Sequence, residues 1–160
     1  MSSSDTGEDY DQINDYLDQF ISEIYIIHTS GIVKFAKSFG PDPQFETQLI
    51  GSFITAIESF MEVTSKKVHH DIRLTDIGTS GSRWFVKKGS NVLLVAIVPN
   101  DSKFFNHPNG FELIGELATE VMTNFLHLHH GTTEDQILDP EFEEEISMTL
   151  VEKIMNYELY

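Results

Sequence analysis

Two stretches of this 160-residue chain are apolar on both faces when laid out as strands: Ile24-Tyr25-Ile26-Ile27, and the run from Asn91 to Val98, NVLLVAIV. Alternate side chains of a strand point to opposite sides of its sheet, so strands of this kind must be covered above and below. Both belong at the centre of a sheet held between helices. The rest of the chain is read around that requirement.

The first stretch opens a hairpin. Residues 23–29 (EIYIIHT) and 32–39 (IVKFAKSF) flank Ser30-Gly31, where glycine supplies the turn. Along the second arm Val33, Phe35 and Phe39 alternate with Lys34, Ala36 and Ser38, the pattern of a strand wet on one side, and Gly40-Pro41-Asp42-Pro43 ends it. A helix is predicted over about 44–64, with Phe45, Leu49, Phe53, Ile57, Phe60 and Met61 on one stripe. Gly51 lies beside that stripe and permits a close approach to the sheet. Strands are predicted at 68–78, 82–88 and 91–98, joined as antiparallel neighbours by Gly78-Thr79-Ser80-Gly81 and Lys88-Gly89-Ser90-Asn91. A helix over 111–129, closed by Gly131, carries the stripe Phe111, Ile114, Leu117, Ala118, Val121, Phe125 and Leu128. The last helix runs from 140 to about 157, with Asp139 as N-cap, Pro140 in its first position and Phe142, Ile146, Leu150, Ile154 and Tyr157 inward.

With the first and fifth strands central and adjacent, the sheet order is 2-1-5-4-3. The expected fold class is α/β (α+β): a five-stranded mixed sheet in the order ββαβββαα, the long helix on one face and the two C-terminal helices on the other. Residues 1–12 hold little to bury and are expected to be a disordered acidic tail, with 13–160 a single domain. Ile13, Tyr16, Leu17, Phe20 and Ile21 recur at helical spacing and read as a short amphipathic cap.

Charge and residue chemistry narrow the function. Ten Lys+Arg against 26 Asp+Glu give a formal charge of −16, which repels phosphate backbones and anionic lipid. No nucleic-acid partner is expected. No run approaches the roughly 18 apolar residues of a membrane span, and the N-terminus has no secretory pattern, so no stable membrane insertion and a cytoplasmic location are expected. The absence of Cys removes disulfides, thiolate metal sites and a thiol nucleophile.

Each motif that invites chemistry has a simpler account. His127-Leu128-His129-His130 and His69-His70 lack convergent spacing, because residues two apart on a helix and adjacent residues on a strand face different ways. Gly78-Thr79-Ser80-Gly81-Ser82 leads into a strand and lacks the lysine of a phosphate loop. Glu141, Glu143, Glu144 and Glu145 complement the amide end of a helix. No metal, cofactor or catalytic site is expected, and the chain is read as a non-enzyme.

Two features read as recognition surfaces. Phe104-Phe105 stand together in the polar loop Lys103-Phe104-Phe105-Asn106-His107-Pro108, and exposed aromatics anchor interfaces. The third strand, at a sheet edge, has Ile72 and Leu74 on one face and Arg73 on the other, and an open edge can pair with a second copy.

The element order, the opening Ile-Tyr-Ile-Ile-His-Thr-Ser-Gly-Ile-Val-Lys-Phe and the helix Leu-Ile-Gly-Ser-Phe-Ile at 49–54 together resemble the longin and roadblock group of profilin-like domains. The resemblance spans about 23–157. It implies a non-catalytic protein-interaction module that dimerises through a sheet edge or the first helix, partnering itself, a small GTPase or a related longin or roadblock subunit of a trafficking-type complex. An alternative is a small-molecule-sensing domain, since profilin-like folds related to PAS and GAF hold ligands between sheet and helix. That alternative needs a cavity, and the Phe and Ile content predicts a filled core.

Overall fold

The two doubly apolar stretches lie side by side in the computed structural model, which describes residues 3–40, 46–69, 75–128 and 140–158. Strand β1 (Glu23–His28) pairs along its whole length with β5 (Val92–Pro99), Glu23 opposite Ile97 and His28 opposite Val92. Strand β2 (Val33–Ser38) flanks β1, and β4 (Ser82–Lys88) and the short β3 (Asp76–Gly78) follow β5, so the sheet order is 2-1-5-4-3. Every ladder is antiparallel, which corrects the mixed sheet expected from sequence. Hairpins set three of the four ladders, joining β1 to β2, β3 to β4 and β4 to β5, and the helical crossover between β2 and β3 returns the chain so that β5 runs against β1.

Among the described residues four α-helices complete the fold: α1 (Ser3–Asp18), α2 (Thr47–Val68), α3 (Gly110–Leu128) and α4 (Pro140–Glu158). The end of α1 and both C-terminal helices cover one face of the sheet. Ile24, Ile26, Phe35, Leu94, Ala96 and Val98 point there and meet Leu17, Ile114, Leu117, Val121, Ile146 and Leu150 in one buried cluster. Phe142 of α4 packs edge-on against Phe35 of β2 at 5.1 Å, and Lys37 of β2 reaches Glu143 at 2.7 Å. The opposite face, with Tyr25, Ile27, Trp84, Leu93, Val95 and Ile97, meets Ile50 and Ile54 of α2.

The hairpin between β1 and β2 is longer than two residues. Gly31 sits at φ 99°, a conformation that costs a side chain, and donates to the His28 carbonyl at 2.8 Å. Lys34 is the extra residue of a bulge, since Ile26 faces Phe35 while Ile27 faces Val33, and it is buried.

Two boundaries differ from expectation. The structure is helical from Ser3, where a disordered tail over 1–12 was expected. Leu17 is buried, with Ile13 and Tyr16 packed against the core, and a helix nucleated there extends at little cost toward its N-terminus. Likewise α2 continues to Val68 and ends on His69 in the left-handed region, so Val68 belongs to the helix and not to a strand over 68–78. Lys66 and Lys67 in its last turn suit a helix carboxyl end. The expected Asp139 cap and Gly131 stop lie outside the described residues.

Candidate interaction surfaces

Helix α2 presents more apolar surface than the sheet covers. Its buried residues are Ile50, Gly51 and Ile54, with Ile57 partly covered. Leu49, Phe53, Phe60 and Val63 are exposed, Leu49 at 64% and Phe60 at 65%. With the exposed Ala56 they are spaced 4-3-4-3, which puts them on a single narrow seam of the kind that packs helix against helix. The one stripe read from the sequence does not act as a unit: Leu49, Phe53 and Phe60 look outward, and neighbouring Ile50 and Ile54 look inward. Phe45 lies outside the described residues.

Gly51 decides this rotation. A Cβ there would run into the Gly31 carbonyl oxygen of the β1–β2 turn and stand 3.0 Å from a Val33 methyl. Only the glycine side of α2 can approach the hairpin so closely, and the outer seam is turned away as a result. The Thr55 hydroxyl donates to the Gly51 carbonyl one turn back. Further along, Phe53 meets Trp84 edge-on at 5.8 Å and Glu58 approaches Lys88 at 3.8 Å, tethering the helix to β4 while leaving its seam open. Beneath the helix layer Tyr25 donates to the buried Glu23 at 2.9 Å. Burial, then that hydrogen bond and the carboxylate charge, push the Tyr25 hydroxyl above its ordinary pKa, so it stays protonated and donating.

The two adjacent aromatics of the loop after β5 have different fates. Phe104 is 1% exposed and packs at a tilt against Phe20 at 5.0 Å. Ser102 holds it there, its hydroxyl accepting from the Phe104 amide at 3.1 Å and donating to the Phe20 carbonyl at 2.7 Å. As an exposed partner-binding residue Phe104 is corrected: it is core, because the loop closes as a 3-10 turn (Lys103–Asn106) over the end of α1. Phe105 is half-buried and leans on Phe111 at 5.4 Å. The other proposed contact residues, Ile72, Arg73 and Leu74, lie outside the described residues, and the described part of that edge is the three-residue β3.

Little in the described residues is arranged for chemistry. No three His, Asp or Glu side chains among them gather as metal ligands. His28 bonds Ser30 at 2.9 Å within the hairpin turn, and His107 meets the Tyr157 hydroxyl at 3.0 Å. Among the described residues, a surface groove of about 480 Å³ lies between α3 and α4, bordered by Glu116, Glu120, Glu152 and Lys153, and another of about 450 Å³ between α1 and α4, bordered by Tyr16, Val151 and Met155. The described residues lining them are all helical, so neither is the sheet-to-helix pocket of a ligand sensor. No helix among the described residues is long and apolar enough to cross a membrane.

An antiparallel sheet in the order 2-1-5-4-3 with the long crossover helix on one face and the terminal helices on the other is the longin-like, roadblock-type fold. Solved structures agree. The chain superposes on MglB from Myxococcus xanthus with a TM-score of 0.55 at 14% identity, over 75% of this chain and 96% of that one. An MglB structure with a tetrameric arrangement gives 0.55 at 15% identity, over 76% and 90%. The roadblock/LC7 domain from Streptomyces avermitilis gives 0.50 at 16% identity, over 72% and 97%. No family model and no curated protein sequence matches the chain.

Proposed function

We propose that this chain is a non-catalytic protein-interaction module that self-associates through the outer seam of α2 and, as a dimer, serves as a scaffold or regulator of a small GTPase or trafficking-type complex. The observation that carries the proposal is the seam itself. Leu49, Phe53, Ala56, Phe60 and Val63 form an exposed apolar strip on a helix anchored to its own sheet chiefly by Ile50 and Ile54, with Phe53 also touching Trp84 at the strip's edge. Facing it with the same seam of a second copy gives the self-complementary contact that a two-fold dimer requires. The tetrameric arrangement of one similar MglB structure agrees with self-association in this fold, and the resemblance to roadblock domains supplies the GTPase connection.

Light scattering after gel filtration tests the first half. The wild-type chain is expected at twice the monomer mass of 18.2 kDa, and Phe60→Asp is expected at the monomer mass with an unchanged circular dichroism spectrum. A wild-type chain that stays monomeric at high concentration refutes the dimer. Pull-down with small GTPases loaded with GDP or a GTP analogue tests the second half, and retention that depends on the nucleotide is the expected outcome.

A further inference from the structure

A second surface, on the opposite face of the sheet from the α2 seam, joins aromatic rings to cations. Phe111, in the first turn of α3, is 54% exposed. Phe85 of β4 meets it edge-on at 5.6 Å, Phe105 leans on it at 5.4 Å, and the Arg83 guanidinium lies 5.4 Å from its ring centre. The strand thus brings two side chains, and the loop and the helix one each, to a shared point.

The alternation of β4 sets the charge. Arg83, Phe85 and Lys87 occupy every second position and so share the α3 side of the sheet, while Trp84 and Val86 pack on the α2 side. At about 3.3 Å per residue, Arg83 and Lys87 stand some 13 Å apart with an aromatic ring between them. Among the described residues, the acids near this surface are Asp76, which stands opposite Phe85 in the β3–β4 ladder, and Glu112, next to Phe111 in the first turn of α3. Asp76 approaches Arg83 at a loose 3.6 Å. Glu116 of α3 borders the groove toward α4 and Tyr157, away from this surface. One turn after Phe111, Gly115 has open space where a side chain would stand, so the ground beside Phe111 is unfilled.

We propose that this surface docks an extended acidic peptide segment of a partner, with one apolar side chain between two carboxylates four residues apart. Laid along β4, such a segment repeats the strand's own two-residue period. Its carboxylates reach Arg83 and Lys87, and its central side chain rests over Phe85 against Phe111. Releasing Arg83 from the loose contact with Asp76 gives it a carboxylate within hydrogen-bond distance while its stacking on Phe111 is kept. The surface is independent of the α2 seam and is reached equally in a monomer or a dimer.

The test is fluorescence anisotropy of the full chain with a fluorescein-labelled peptide containing Glu-Thr-Phe-Thr-Glu, compared with a scrambled peptide of the same composition. Saturable binding that weakens with added salt is expected, with at least a tenfold rise in Kd for Arg83→Glu and for Phe111→Ala, a smaller rise for Lys87→Glu, and no change for Phe60→Asp. Lys87 is exposed, so Lys87→Glu reads the site even where another variant fails to fold. Absence of binding by the wild-type chain, equal affinity for the scrambled peptide, or Arg83→Glu and Lys87→Glu variants that bind as wild type would overturn the proposal. Loss of binding in Phe60→Asp alone would move the site to the α2 seam.

Discussion

The two faces of the sheet are built from the same central strands and finished in opposite ways. On one face the end of α1, α3 and α4 interlock with β1, β2 and β5, and aromatic pairs such as Phe35 with Phe142 and Phe125 with Phe142 close the layer. On the other, α2 commits Ile50 and Ile54 to the sheet and leaves Leu49, Phe53, Phe60 and Val63 outside. Fully burying a side chain of this size contributes roughly 1.5–3 kcal/mol, so a helix leaving four such residues uncovered forgoes stability that a partner can restore. The first face holds the fold together. The second carries the longer uncovered apolar seam.

The largest effect tests that division directly. Phe142→Ala opens a cavity between α4 and the sheet and is expected to cost about 3–5 kcal/mol in urea unfolding. A cost below about 1 kcal/mol would mean that α4 is an accessory and not part of the core. Next comes Gly51→Ala on the other face. In an unobstructed helix this change gains about 1 kcal/mol, but the added methyl meets the Gly31 carbonyl and a Val33 methyl, and a loss of about 1–3 kcal/mol is expected instead. A gain in melting temperature would show that the close approach does not set the rotation of α2.

Phe60→Asp separates folding from association. As an exposed position its effect on the unfolding of the monomer is expected to stay within about 0.5 kcal/mol. The concentration dependence of the wild-type melting temperature is expected to vanish in the variant, because dimerisation stabilises by mass action.

The smallest effect lies at the end of α1. Burial, with the Asp15 carboxylate adding to it, raises the Asp18 carboxyl above its ordinary pKa. A carboxyl raised on folding keeps its proton longer in the native than in the unfolded chain, so stability falls as pH climbs from the unfolded to the folded value and stays lower above it. Asp18→Asn is therefore expected to raise the melting temperature slightly at neutral pH and to leave it unchanged below about pH 3, where both states are protonated.

Much of the fold was legible because its signals are local. The double-faced runs at 24–27 and 91–98 required central strands, the glycine-bearing turns fixed the antiparallel neighbours, and the residues of β4 were read at their observed bounds of Ser82–Lys88. The outer α2 seam was missed, yet a signal was present: Leu49, Ile50, Phe53, Ile54, Ile57 and Phe60 span an arc too wide for one contact. Phe105 was singled out in the sequence only together with its neighbour Phe104, and the rings it meets or neighbours, Phe111 and Phe85, are remote in sequence.

What the sequence by itself determined is the set of elements, the central pair of strands and the sheet order, because turn chemistry and side-chain period act over a few residues. Only the tertiary structure decided which of the two seams of α2 faces the sheet, which of two adjacent phenylalanines enters the core, and which aromatics gather around Arg83. Those outcomes depend on contacts between distant segments: the Gly31 carbonyl against Gly51, Phe20 beneath Phe104, and β4 beside α3. A hydrophobic pattern states how much apolar surface a helix carries. The steric fit of one helix on one hairpin settles how much of it remains for a partner.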